Sequence, residues 1–164
     1  MENISLSFLL HRLDSRYSTD SISLTSDDMS QSSRDKDFQA SIRSLYNLNE
    51  IDEDEIDDED EVVKPSPYAV SEAHRLLMDI RSCFKDAFPY CSSSLETRGG
   101  IDLVWDNPSL ARRVWVEVPV SEHFKGSIFY REKDEHKFMN DIDSQRVIRL
   151  LSWLNDSKTS IDNV

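Results

Sequence analysis

Ten of the twelve residues from Glu50 to Glu61 are carboxylates, and the other two are Ile51 and Ile56. Like charges at this density repel one another in any helix, so the run reads as extended and solvated. The whole chain carries a net charge of −13. Residues 1–63 hold 17 acidic and 5 basic residues, a net of −12, while residues 64–164 hold 15 and 14, a net of −1. All three Trp (105, 115, 153), all three Gly (99, 100, 126) and all five Pro (65, 67, 89, 108, 119) fall after residue 63. Large rings fill cores, and Gly and Pro punctuate the turns between elements. The folded domain is thus expected over residues 64–164, with residues 1–63 a largely disordered acidic arm.

The same charge balance narrows the partners. Nucleic-acid binding needs a basic footprint, and so does attraction to anionic membranes. Neither is expected here, and no apolar run reaches the ~18 residues of a membrane span. The start, MENISLSFLLHRL, places an acidic residue where a secretory signal wants Lys or Arg. The two cysteines, Cys83 and Cys91, have no metal-ligand spacing and read as reduced thiols. The expected compartment is the cytoplasm.

Within the arm, residues 4–13 and 38–48 have the spacing of short amphipathic helices. The second places Phe38, Ile42 and Leu45 on one face, with Tyr46 at its border. Between them, ten of the nineteen residues from Ser15 to Ser33 are Ser or Thr, too polar a stretch to offset its ordering entropy. After residue 63 the pattern sharpens. Ser66 and Pro67 read as N-cap and first helical residue. Val70, Ala73, Leu77, Ile80, Phe84 and Ala87 then recur at helical spacing, and Pro89 is expected to end the helix. GIDLVWD, RRVWVEVP and GSIFYRE alternate as strands, and the intervening stretches have hairpin-loop length. A last helix carries Val147, Leu150, Leu151 and Leu154, with Asp141 or Asp143 as N-cap, and the tail SKTSIDNV reads as frayed. The expected fold is α+β: a three-stranded antiparallel meander with an N-terminal and a C-terminal helix packed on one face.

No chemistry stands out. The only Gly pair, Gly99–Gly100, precedes a strand, whereas a phosphate loop follows one and opens a helix. The acidic run lacks the central Gly of a calcium loop. The four histidines show no metal spacing. The best catalytic grouping, Asp102, Glu117 and His123, lacks a nucleophile and an oxyanion donor. No enzyme, cofactor or metal is expected. The sheet offers a surface instead. With Ile101, Leu103 and Trp105 facing the helices, the opposite face carries Val104, Trp115 and Phe129, rimmed by Arg113, Glu117 and Arg131. Rings with Arg at the edge have the composition of an interface centre.

The stretches KPSPYAVSEAHRLL, RGGIDLVWDN, RRVWVEVP, SIFYRE and LLSWLN resemble a recurrent type of small bacterial αβββα protein, antitoxin-like in general character. That resemblance covers residues 64–164 and implies partner binding without catalysis. The expected function is a protein-binding module that regulates or neutralises a partner protein. Its contacts are Val104, Trp115, Phe129, Arg113 and Arg131 on the sheet and Phe38, Ile42 and Leu45 on the arm. The partner surface is basic if the acidic run touches it, and a homodimer through the open sheet face is a further pairing the pattern allows. The alternatives are an acidic mimic of nucleic acid, a subunit of a larger assembly and, last, a small enzyme.

Overall fold

The computed structural model describes residues 26–50 and 64–163. The short helix expected at residues 4–13 and nearly all of the acidic run lie outside them. The described chain forms three helices, α1 (Ser26–Asn47), α2 (Pro67–Phe84) and α3 (Ser144–Asn155). It also forms five strands, β1 (Ser92–Leu95), β2 (Ile101–Asn107), β3 (Arg112–Val118), β4 (Ser127–Glu132) and β5 (Glu135–Asn140). The strands make one antiparallel sheet in sequence order. The α+β class is as expected. The three-strand count is corrected to five, because β1 and β5 border the strands read from the sequence.

Both were missed for physical reasons. β1 is Ser-Ser-Ser-Leu, with no apolar alternation to announce it. β5, Glu-His-Lys-Phe-Met-Asn, is charged as edge strands are. It follows β4 through a two-residue turn, Lys133–Asp134, with no Gly or Asn to mark it. Lys133 takes the left-handed φ of 54° that such a turn demands. At the β1–β2 turn that role falls to Gly99, at φ 89°.

Helices α2 and α3 form where expected, but α2 stops at Phe84, where Lys85 takes a φ of 49°, and Lys85–Ala87 form a 3₁₀ turn instead of continuing the helix to Pro89. The Ser66 hydroxyl accepts from the Ala69 amide at 3.0 Å and donates to the Val120 carbonyl at 2.6 Å, which fixes the start of α2. The Asp143 carboxylate caps α3 by accepting from the Gln145 amide. Each helix buries one stripe: Ala69, Ala73, Leu76, Leu77 and Ile80 on α2, and Val147, Leu150, Leu151 and Leu154 on α3. These meet Ile101, Leu103, Trp105, Val114, Val116, Val118 and Ile128 of the sheet in a single core.

Two expectations about the ends need amending. Helix α1 is continuous from Ser26, through part of the Ser-rich stretch read as disordered. Its C-terminal half explains this: Leu45 is fully buried in the core, and Phe38 and Ile42 pack against it. Once packing holds those turns, each further helical residue gains a hydrogen bond at small entropic cost. A boundary at residue 64 therefore divides residues that share one core. The tail is also tied down. Ile161 is buried, and the Arg112 guanidinium donates to the carbonyls of Trp153, Asp156 and Thr159.

Helix α1 also closes an edge. The buried Ser41 hydroxyl accepts from the Cys91 amide at 2.8 Å, and Ser44 accepts from the Ser93 amide at 3.0 Å. These are outward-facing donors at the start of the edge strand, and serine side chains stand in for a sixth strand. Among the described residues, β5 at the other side pairs only with β4.

Candidate protein-interaction face

The described helices lie on one side of the sheet, so among the described residues alternation leaves the other side open. The strand register sorts that open side into three rows. The middle row runs Ser92, Val104, Trp115, Phe129, Phe138 across all five strands. One flank runs Ser94, Asp102, Glu117, Ser127, Asn140. The other runs Asp106, Arg113, Arg131, His136. A band of rings thus separates an acidic border from a cationic one.

The rings touch in sequence. Trp115 and Phe129 have centroids 5.3 Å apart, and Phe129 and Phe138 4.8 Å apart, both tilted. Such contacts hold the ladder in shape without covering it. Trp115 remains 38% exposed and Phe138 51%. Between the ladder and the cationic border lies a shallow depression of about 340 Å³, lined by Arg113, Trp115, Phe129, Arg131, His136 and Phe138 among others.

The two borders differ in how far they are neutralised. Arg113 makes a two-pronged pair with Asp106, at 2.5 and 3.0 Å. Among the described residues, Arg131 and His136 carry no such pair. On the acidic side, burial pushes the Asp102 carboxyl above its ordinary range, nearby Glu96 adds to the shift, and the Trp115 indole partly offsets it. Burial likewise raises Glu117, helped by repulsion from Asp102 and Glu96 and opposed by Arg98. One oxygen of Asp102, Oδ1, is buried without a hydrogen-bond partner among the described residues.

Val104, Trp115, Phe129, Arg113 and Arg131 therefore come together as the alternation implied. Phe138 and His136 belong with them and were missed along with β5. The alternation of His136 and Phe138 against Lys137 and Met139 was the available signal. Phe38, Ile42 and Leu45 do not join this face. Leu45 is a core residue, Ile42 is half-buried, and Phe38 meets Phe88 edge-on at 5.2 Å with the Arg81 guanidinium over its ring. Their apolar surface is used to dock α1.

The grouping of Asp102, Glu117 and His123 is half realised. The two carboxylates are cross-strand neighbours, whereas His123 is exposed in the turn after β3. Among the described residues no group of three or more His, Cys, Asp or Glu is placed to hold a metal ion. Both cysteines are free, Cys83 exposed and Cys91 buried, and burial raises the Cys91 thiol well above its ordinary value. No described helix is long and apolar enough to cross a membrane. Comparisons with protein-family models, curated proteins and solved structures gave no match.

Proposed function

We propose that this chain is a non-enzymatic, cytoplasmic protein-binding module that regulates or neutralises a partner protein, and that the open sheet face is its docking surface. The observation that carries the proposal is the ladder Trp115–Phe129–Phe138 beside Arg113 and Arg131, with Trp115 and Phe138 exposed and Phe129 half-buried between them among the described residues. Trp and Phe are large enough that the exposed parts of Trp115 and Phe138 come to roughly 200 Å². Burying that area contributes on the order of 5 kcal/mol before ordering costs. Arg at the border of such a band supplies directed hydrogen bonds, which rings alone cannot. The exposed thiol of Cys83 fits a reducing compartment.

The test is a comparison of two baits in native extract: the full chain, and the full chain with Trp115→Ala and Phe138→Ala. Quantitative mass spectrometry should show a partner enriched by the first and lost from the second, with unchanged circular dichroism. Equal recovery of every enriched protein by both baits would remove the face from the binding surface.

A further inference from the structure

The open face carries its own complement. Its rows run acidic, aromatic and cationic, and the aromatic row lies between the other two. A two-fold axis laid along the aromatic row keeps each strand over its symmetry mate and exchanges the borders. Glu117 of one copy then stands opposite Arg113 of the other, and symmetry makes that contact twice. Ser127 stands opposite Arg131, and Asn140 opposite His136, so each of these side chains meets a hydrogen-bonding group. The rings of Trp115, Phe129 and Phe138 meet their own copies. Asp102 meets Asp106, the one like-charged contact, and Asp106 is already neutralised by Arg113. The other in-plane axis, along the strands, sets Glu117 against Glu117 and Arg113 against Arg113, so the charges select between the two arrangements.

We propose that the open face is the interface of a homodimer in which two copies pack sheet on sheet about an axis along the Trp115–Phe129–Phe138 row. This rests on the reading of the face as a protein-docking surface and names a second copy of this chain as its occupant in the free protein. A regulated partner then competes with self-association for the same rings. Aligned sheets pack face to face at roughly −30° and ~10 Å apart, a geometry that twisted antiparallel sheets reach readily. Residues 64–164 have a net charge of only −1, so the sheets themselves do not repel. Five strands about 4.8 Å apart and three rows about 7 Å apart give a footprint of roughly 20 by 20 Å. That is small for a specific interface, so the dimer should be of the weak, exchanging kind.

The experiment is sedimentation equilibrium of the full chain from about 1 to 500 μM, with light scattering as a second measure of mass. The expected result is a reversible monomer–dimer equilibrium. Glu117→Arg and Arg113→Glu should each weaken it about tenfold or more, the scale of a close interfacial charge pair. An equimolar mixture of the two variants should restore it. In the mixed dimer the new arginine of one copy faces the new glutamate of the other, and the first copy's unchanged Arg113 faces the second copy's unchanged Glu117. Both contacts are then opposite in sign. Purely structural damage from either substitution would not be repaired by mixing. A monomer at every concentration overturns the dimer. So does a dimer that neither variant weakens, which would point to pairing through another surface such as the β5 edge. Neither result touches the docking role of the face, which fails only if the Trp115→Ala, Phe138→Ala bait keeps every partner.

Discussion

Replacing Arg112 with Met should cost this fold about 3 kcal/mol. Arg112 is buried at the start of β3, with 3% of its side-chain surface exposed. It donates two hydrogen bonds to Glu132 Oε1 and one each to the carbonyls of Trp153, Asp156 and Thr159, and it stacks 4.6 Å over the Trp153 ring. Helix α3 has no basic residue in its last turn, so Arg112 supplies from another strand the cation that a helix C-terminus favours. Removing one member of a buried pair costs about 3–5 kcal/mol. Glu132 keeps 21% of its side-chain surface in water and can rehydrate, which places the loss at the lower end. For a chain of this size, that is a fall of roughly 10 °C in melting temperature. Met keeps the volume and the contact with Trp153, so the loss reports the hydrogen bonds rather than a cavity. Arg112→Lys should recover less than half, since one ammonium cannot span three carbonyls and a carboxylate. Scanning calorimetry and urea unfolding with an unchanged slope are the assays. A loss below about 1 kcal/mol, or Lys performing as well as Arg, would show that the fork does not anchor the tail.

Trp105→Ala should destabilise by about 3–5 kcal/mol, whereas Trp115→Ala should cost under about 1.5 kcal/mol; matching losses in thermal melts would contradict the assignment of the two faces. Ser41→Ala leaves the Cys91 amide buried without its acceptor, for an expected cost of about 1–3 kcal/mol and faster hydrogen exchange at that amide. A shortened chain starting at Lys64 loses the Leu45 contact and should unfold earlier than one starting at residue 36. Glu132 is held below its ordinary pKa chiefly by the hydrogen bond from Arg112, and Asp156 chiefly by that from Thr159. The stability these groups add is present above the ordinary carboxylate range and is lost as pH falls through the lowered folded values. Arg112→Met should flatten the part of that acid loss that belongs to Glu132, read by urea unfolding at stepped pH. Asp102 and Glu117 are raised instead, so their protonation favours the fold, and Asp102→Asn should stabilise at neutral pH, in direction opposite to Glu132→Gln.

The core face was legible because burial and period coincide. Ile101, Leu103 and Trp105 alternate with polar residues, and Val114, Val116 and Val118 repeat the pattern across the ladder. The open face was legible by the same subtraction, up to the point where the third recognised strand ended. Elements held mainly by partners elsewhere were not legible. β1 consists largely of serines, and its strand character comes from pairing with β2 and from hydroxyls on α1. The tail is ordered by an arginine more than forty residues earlier in the chain. Arg112 itself looked like one more charge flanking a strand, since no local pattern distinguishes a buried guanidinium from a solvated one.

The serine contacts between α1 and the edge of the sheet also set an order in time. α1 leaves the ribosome well before β1, yet Ser41 reaches its amide partner only across 50 residues of sequence. Until β1 has paired with β2, the hydroxyls of Ser41 and Ser44 have no amide to accept from and Leu45 has no finished core to enter. The first of the described helices to be synthesised is therefore expected to be the last to dock, and by microscopic reversibility the first to leave. Undocking frees the outer amides of Cys91 and Ser93 as a template for a foreign strand. Pulse-labelled hydrogen exchange during refolding should find these two amides protected after those of β2 and β3, and simultaneous protection would refute the sequence of events.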